Sequence, residues 1–103
     1  MDEQQEIVEQ FCQEYNLAST PEVAALDLQS EVGELTKEIL KSTDYGRSEP
    51  QYRGEIGDEL GDVFFSLLNL ANLYDIDLGG ALEATLEKYK ERLSRGGAGS
   101  EFE

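Results

Sequence analysis

Histidine and tryptophan are absent from the 103 residues, cysteine occurs once, and only 8 basic residues stand against 23 acidic ones. Without histidine there is no imidazole catalysis and no histidine-ligated metal, which removes a di-iron bundle built on Glu-x-x-His ligands. The one cysteine, Cys12, can form neither an intrachain disulfide nor a thiolate cluster, so a reducing, cytoplasmic setting is expected. A net charge of −15 argues against any nucleic acid polymer as partner and against an anionic membrane surface. No run approaches the ~20 apolar residues of a membrane span. The opening MDEQQEIVEQ lacks the apolar stretch of a signal peptide. The chain is nonetheless 39% hydrophobic, too apolar for an acidic disordered segment, and its length suits one domain.

The basic residues are also unevenly placed. Residues 1–36 hold nine acids and no Lys or Arg, residues 54–87 hold eight acids and again no base, and four of the eight bases fall within Lys88–Arg95. Two acid-rich stretches without internal counter-charge call for positive charge from elsewhere. Metal ions would supply it, and solvation of exposed carboxylates is the plainer alternative.

Hydrophobic spacing predicts helices throughout and no sheet. Ile7, Val8, Phe11, Cys12 and Tyr15 repeat at helical intervals over residues 3–16. Thr20-Pro21 reads as an N-cap and first helical position, opening a helix to about Lys41 that buries Ala24, Leu28, Val32, Leu35 and Ile39. Ser42 to Gln51 is the main loop. A third helix, 52–74, carries Ile56, Leu60, Val63, Leu67 and Leu70, and is apolar over more than half its girth beyond residue 62. Asp75 to Gly80 connects it to a fourth, 80–95, with Leu82, Leu86 and Leu93. The expected fold is all-α, an antiparallel four-helix bundle-like protomer within a single domain, 1–95. The surplus apolar surface of the third helix predicts a homo-oligomer, a homodimer or homotetramer. Residues 96–103 read as a flexible tail whose GS and EF pairs look like cloning junctions.

The second helix contains EVGELTKE and the third EIGDELGD. At about 100° per residue, Glu31, Glu34 and Glu38 fall within an arc of about 60°, and Glu59 and Asp62 share a similar strip with Glu55, Asp58 beside it. Both strips flank the apolar stripe of their own helix, so antiparallel packing can bring them together. Converging carboxylates repel unless neutralised. An all-oxygen ligand set selects a hard cation, Mg2+, Mn2+ or Ca2+. A purely solvated acidic face stays open as the alternative. Gly54, Gly57 and Gly61 each weaken the third helix, which implies close approach by a ligand or by another helix.

The ordered pair Glu31-x-x-Glu34 and Glu59-x-x-Asp62 resembles the ExxE…ExxD signature of the MazG-like, all-α nucleoside triphosphate pyrophosphohydrolases. The surrounding LQSEVGEL, DELGDVFFSLLNLAN and IDLGGALEATLEKYKER fit as well, and the likeness runs over about residues 5–93. One position departs: Leu86 stands where the better-known branch often has Asn. The resemblance implies that Glu31, Glu34, Glu59 and Asp62 bind Mg2+, with Mn2+ as a substitute, and that Glu38 and Asp58 are auxiliary. It implies a nucleoside triphosphate cleaved between its α and β phosphates into monophosphate and pyrophosphate, with Glu34 or Glu38 activating the water.

Lys88 and Arg92, one turn apart, are candidates for the distal phosphates, their alternative being to complement a helix C-terminus. Lys37, Lys41 and Arg53 are further possible contacts. With no tryptophan, stacking on a base falls to Phe or Tyr, and Phe11, Tyr15, Asn69 and Asn72 are candidates for a base pocket. Within the same superfamily a dUTPase or a phosphoribosyl-ATP pyrophosphohydrolase would share the metal site. A non-catalytic acidic helical module that binds a basic partner is the alternative of a different class. DIDLGG lacks the later acidic ligands of an EF-hand.

Overall fold

Asp2, Thr20 and Asp77 each stand in extended backbone ahead of a run of helix-forming residues. Each turns a side-chain oxygen onto a free backbone N–H, of Gln5 at 2.8 Å, Val23 at 3.3 Å and Gly79 at 3.2 Å. These caps open three of the four helices in the computed structural model, which describes residues 2–96. The helices are α1 (Glu3–Glu14), α2 (Pro21–Ser42), α3 (Gly54–Leu73) and α4 (Leu78–Ser94), and no strand occurs among the described residues. The all-α class expected from periodicity is therefore the observed one. The tail, from residue 97 on, lies outside the described residues.

The first three helices end alike. Asn16, Asp44 and Asp75 take left-handed φ values of 56°, 49° and 55°. The next N–H in each case bonds back five residues: Leu17 to Cys12, Tyr45 to Leu40 and Ile76 to Ala71. This is the Schellman closure, here made with Asn and Asp in place of the usual glycine. It explains why α1 stops at Glu14 where apolar spacing extends to 16. It also moves the start of α4. Asp77 caps it, so Gly79 and Gly80, expected in the connection or at its edge, lie in its first turn.

α2 and α3 pack as a hairpin whose facing residues run in opposite senses: Glu38 meets Arg53, while Glu31 meets Glu59 and Asp62. α1 lies along α3, and Val8 of the one and Leu68 and Ala71 of the other are buried. The face that α1 buries is turned from the one expected. Gln5 and Val8 are buried and Cys12 half-buried, while Ile7, Phe11 and Tyr15 are exposed. α4 buries no residue, and Leu82, Leu86 and Leu93 are all more than half exposed. Val32, Ile39 and Leu60, expected in the core, are also exposed. The radius of gyration, 16.7 Å, exceeds the ~13 Å of a compact 100-residue domain. Protomer packing is thus an α2–α3 hairpin with α1 laid along it, and α4 carries a bare apolar face.

Candidate metal centre

Helical rise places Glu31 and Glu34 one turn apart on α2 and Glu59 and Asp62 one turn apart on α3. The hairpin then brings one carboxylate oxygen each of Glu31, Glu59 and Asp62 within 4.8 Å of one another. Glu31 and Glu59 are half-buried and Asp62 is exposed. Glu34 is exposed and stands outside this triad, yet close enough for its charge to act on Glu59. The expected convergence of two acidic strips is therefore present for three of the four motif residues.

Electrostatics single out Glu59. Loss of water around its carboxyl, and then the charges of Asp62, Glu31, Glu34 and Glu38, hold its pKa above the ordinary glutamate range. Among the described residues no Lys or Arg pairs with Glu31, Glu34, Glu59 or Asp62. An all-oxygen donor set, mutual repulsion and the lack of a basic neighbour together suit a hard divalent cation. Mg2+ or Mn2+ fits these residues.

Glu38 sits at the end of the strip and is treated differently. Its side chain is 13% exposed, with Arg53 Nη2 3.1 Å from Oε2 and Lys41 Nζ 3.5 Å from Oε1. Arg53 Nε also lies 3.7 Å from Glu55 Oε2. Two of the three basic residues near the motif helices thus converge on Glu38.

The other expected contacts divide. Asn69 and Asn72 line a cleft of about 400 Å3 between α1 and α3, together with Cys12, Gln13 and Asn16. The Cys12 thiol donates to Asn69 Oδ1 at 3.7 Å, and burial pushes its pKa up. Asn72 is engaged structurally: its Nδ2 donates to the Gln5 carbonyl at 2.9 Å and its Oδ1 accepts from Gln5 Nε2 at 3.2 Å. Phe11 stands off the cleft wall, its ring 4.8 Å from Tyr15 and 5.9 Å, edge-on, from Phe65. Lys88 and Arg92 gather around the Tyr89 ring at 5.3 and 6.0 Å, on a helix that does not pack broadly on α2.

Gly54, Gly57 and Gly61 have open space where a Cβ would stand, so close helix contact within this chain does not account for them. Periodicity did not find Gln5, although its spacing with Val8 and Cys12 marks one face of α1. Nor did it find the ion pair of Arg53, whose signal was a cation at a helix start.

Comparison with known proteins agrees with this geometry. The family model described as the MazG nucleotide pyrophosphohydrolase domain matches residues 19–95, which take in α2, α3 and α4. The crystal structure of the candidate pyrophosphatase YPJD from Bacillus subtilis is similar to this chain. It has a TM-score of 0.73 and 30% identity over 89% of this chain and 94% of that one. No curated protein sequence matches.

Proposed function

Since the chain belongs to the MazG nucleotide pyrophosphohydrolase family, and is thereby a hydrolase of nucleotide phosphoanhydrides, we propose that it is a Mg2+-dependent enzyme. It cleaves a ribo- or deoxyribonucleoside triphosphate between the α and β phosphates, releasing monophosphate and pyrophosphate. The observation that carries this reading is the meeting of Glu31, Glu59 and Asp62 from two helices with no basic residue among them. Glu34 joins them as the fourth ligand. A bound divalent cation would neutralise both the carboxylates and the phosphates and make water more acidic.

The chain's own residues would do the rest. A triphosphate carries about four negative charges, so an acidic site can hold it only with added positive charge. Lys88 and Arg92 supply that charge to the distal phosphates. Glu34, exposed and without an ion-pair partner, is better placed than Glu38 to take the proton of the attacking water. Asn69 offers an amide to the base in the α1–α3 cleft, and Phe11, which stands off the cleft wall, would have to swing its ring inward to stack on it. The exposed apolar residues of α3 and α4 support a homodimer or homotetramer. No helix among the described residues is long and apolar enough to cross a membrane. The proposed place of action is the cytoplasm.

The test is pyrophosphate release from a panel of canonical and modified triphosphates, with dUTP, dCTP and phosphoribosyl-ATP included, with and without Mg2+. Release of pyrophosphate and monophosphate that needs Mg2+ and falls at least ~100-fold in Glu59→Gln is the expected result. Orthophosphate release would contradict cleavage between α and β. A folded protein that turns over nothing, with Glu59→Gln indistinguishable in cation binding, would favour the acidic binding module.

A further inference from the structure

Arg53 breaks a local rule. It occupies the N-cap of α3, where the helix presents its positive end, and makes no side-chain cap there. A cation at that position is unfavourable unless something else holds it. Arg53 is held by Glu38, at 3.1 Å, in the one ion pair among the described residues that joins two separate elements. Glu38 lies one turn past Glu34 on the same strip of α2, yet outside the triad that meets within 4.8 Å. The buried atoms Glu38 Oε2 and Arg53 Nε have no well-directed hydrogen bond, so charge more than hydrogen-bond geometry joins the pair.

We infer that Arg53 is a positioning residue that keeps the Glu38 carboxylate out of the metal-binding set. The inference rests on the metal site proposed above. Glu31, Glu34 and Glu38 share one strip of α2 and Glu59 and Asp62 one strip of α3, whereas a cation and a triphosphate can share the site only if coordination positions are left open for phosphate oxygens. Arg53, with Lys41 behind it, takes the fifth carboxylate away. Without Arg53, Glu38 turns toward the cation, binds it in competition with the phosphates, and adds a negative charge where a polyanion must land.

The experiment is a double-mutant cycle on Mn2+ binding without nucleotide. Free Mn2+ is followed by electron paramagnetic resonance for wild type, Arg53→Gln, Glu38→Gln and the double variant, with Glu59→Gln as control. Arg53→Gln is expected to bind Mn2+ about tenfold more tightly than wild type, with the gain gone in the Glu38→Gln background. In turnover its KM for nucleotide rises more than its kcat falls. Arg53→Lys, which lacks the planar fork, shifts affinity the same way by less and serves if the glutamine variant does not fold. A gain that persists in the Glu38→Gln background would show Arg53 acting through its charge alone and would overturn the inference. So would unchanged or weaker Mn2+ binding in Arg53→Gln. Wild type and Glu59→Gln that bind Mn2+ equally poorly would remove the metal site itself, and this inference with it.

Discussion

Gln5 has no exposed surface, and its side chain serves three elements at once. Its Nε2 donates to the Ile76 carbonyl at 2.7 Å and to Asn72 on α3, and its Oε1 accepts from the N–H of Leu78, the first residue of α4. One amide thus satisfies both a carbonyl and an N–H of the α3–α4 connection, groups that would otherwise be left without partners. Gln5→Ala is expected to cost about 2 kcal/mol in urea denaturation, since it strands those groups and opens a cavity. Glu59 gives the second prediction at this scale. Because its folded pKa lies above its unfolded one, its contribution to stability is complete in acid and is lost as pH rises through the folded value. In chelator, wild type should therefore lose ground to Glu59→Gln between acid and neutral pH. Adding Mg2+ at neutral pH should reverse the order, because only wild type retains the full ligand set. Thermal melts of both proteins at pH 4.5 and 7.5, with EDTA and with Mg2+, check the sign. A gap that does not widen with pH in EDTA would mean that the surrounding carboxylates exert no strain on Glu59.

α3 is the element in which helix stability has been given up. Gly57 and Gly61 sit inside it, with no atom within 4 Å of a Cβ at either. An alanine at 57 gains helix propensity and meets no obstacle within the chain. Gly57→Ala is expected to raise protomer stability by ~0.5–1 kcal/mol in urea denaturation. Loss of assembly or of nucleotide binding in that variant would show what the open face is kept for. The same helix illustrates what element-level reading could and could not see. Its carboxylates and apolar stripe follow directly from spacing. Its start does not, because Arg53 is no capping residue and is explained only by Glu38, fifteen positions earlier on another helix.

For the whole molecule the telling fact is how little the protomer encloses. Among the described residues the buried apolar ones are Val8, Ala24, Leu68 and Ala71 alone, while Phe64, Leu67 and Leu82 border an apolar groove between α3 and α4. A chain with a net charge of −15 and so much exposed apolar surface would be stabilised by assembly and by bound cations alike. Sedimentation is expected to show a homodimer or homotetramer. Leu82→Glu should weaken it by about 2 kcal/mol, about thirtyfold in dissociation constant. A wild-type monomer at micromolar concentration would leave the bare face of α4 without a purpose in assembly.

The sequence by itself determined the helical class, the starts of α1 and α2, the two acidic strips and the family they resemble. All of these depend on residues within a turn or two of one another, where spacing along the chain is spacing in space. The starts of α3 and α4 were less visible, whereas the ends of α2, α3 and α4 fall within one residue of the expected ones, although Asn16, Asp44 and Asp75 close the first three helices where glycine is usual. Only the tertiary structure decided which face α1 buries. Gln5 enters the interior because Asn72, Ile76 and Leu78 are there to satisfy it. Tertiary structure likewise separated Glu38 from the other carboxylates of its strip. On α2 alone Glu31, Glu34 and Glu38 differ little. The packing of α3 brings Glu59 and Asp62 against the first and Arg53 against the last, and that difference in neighbours makes one a ligand candidate and the other a restrained anion.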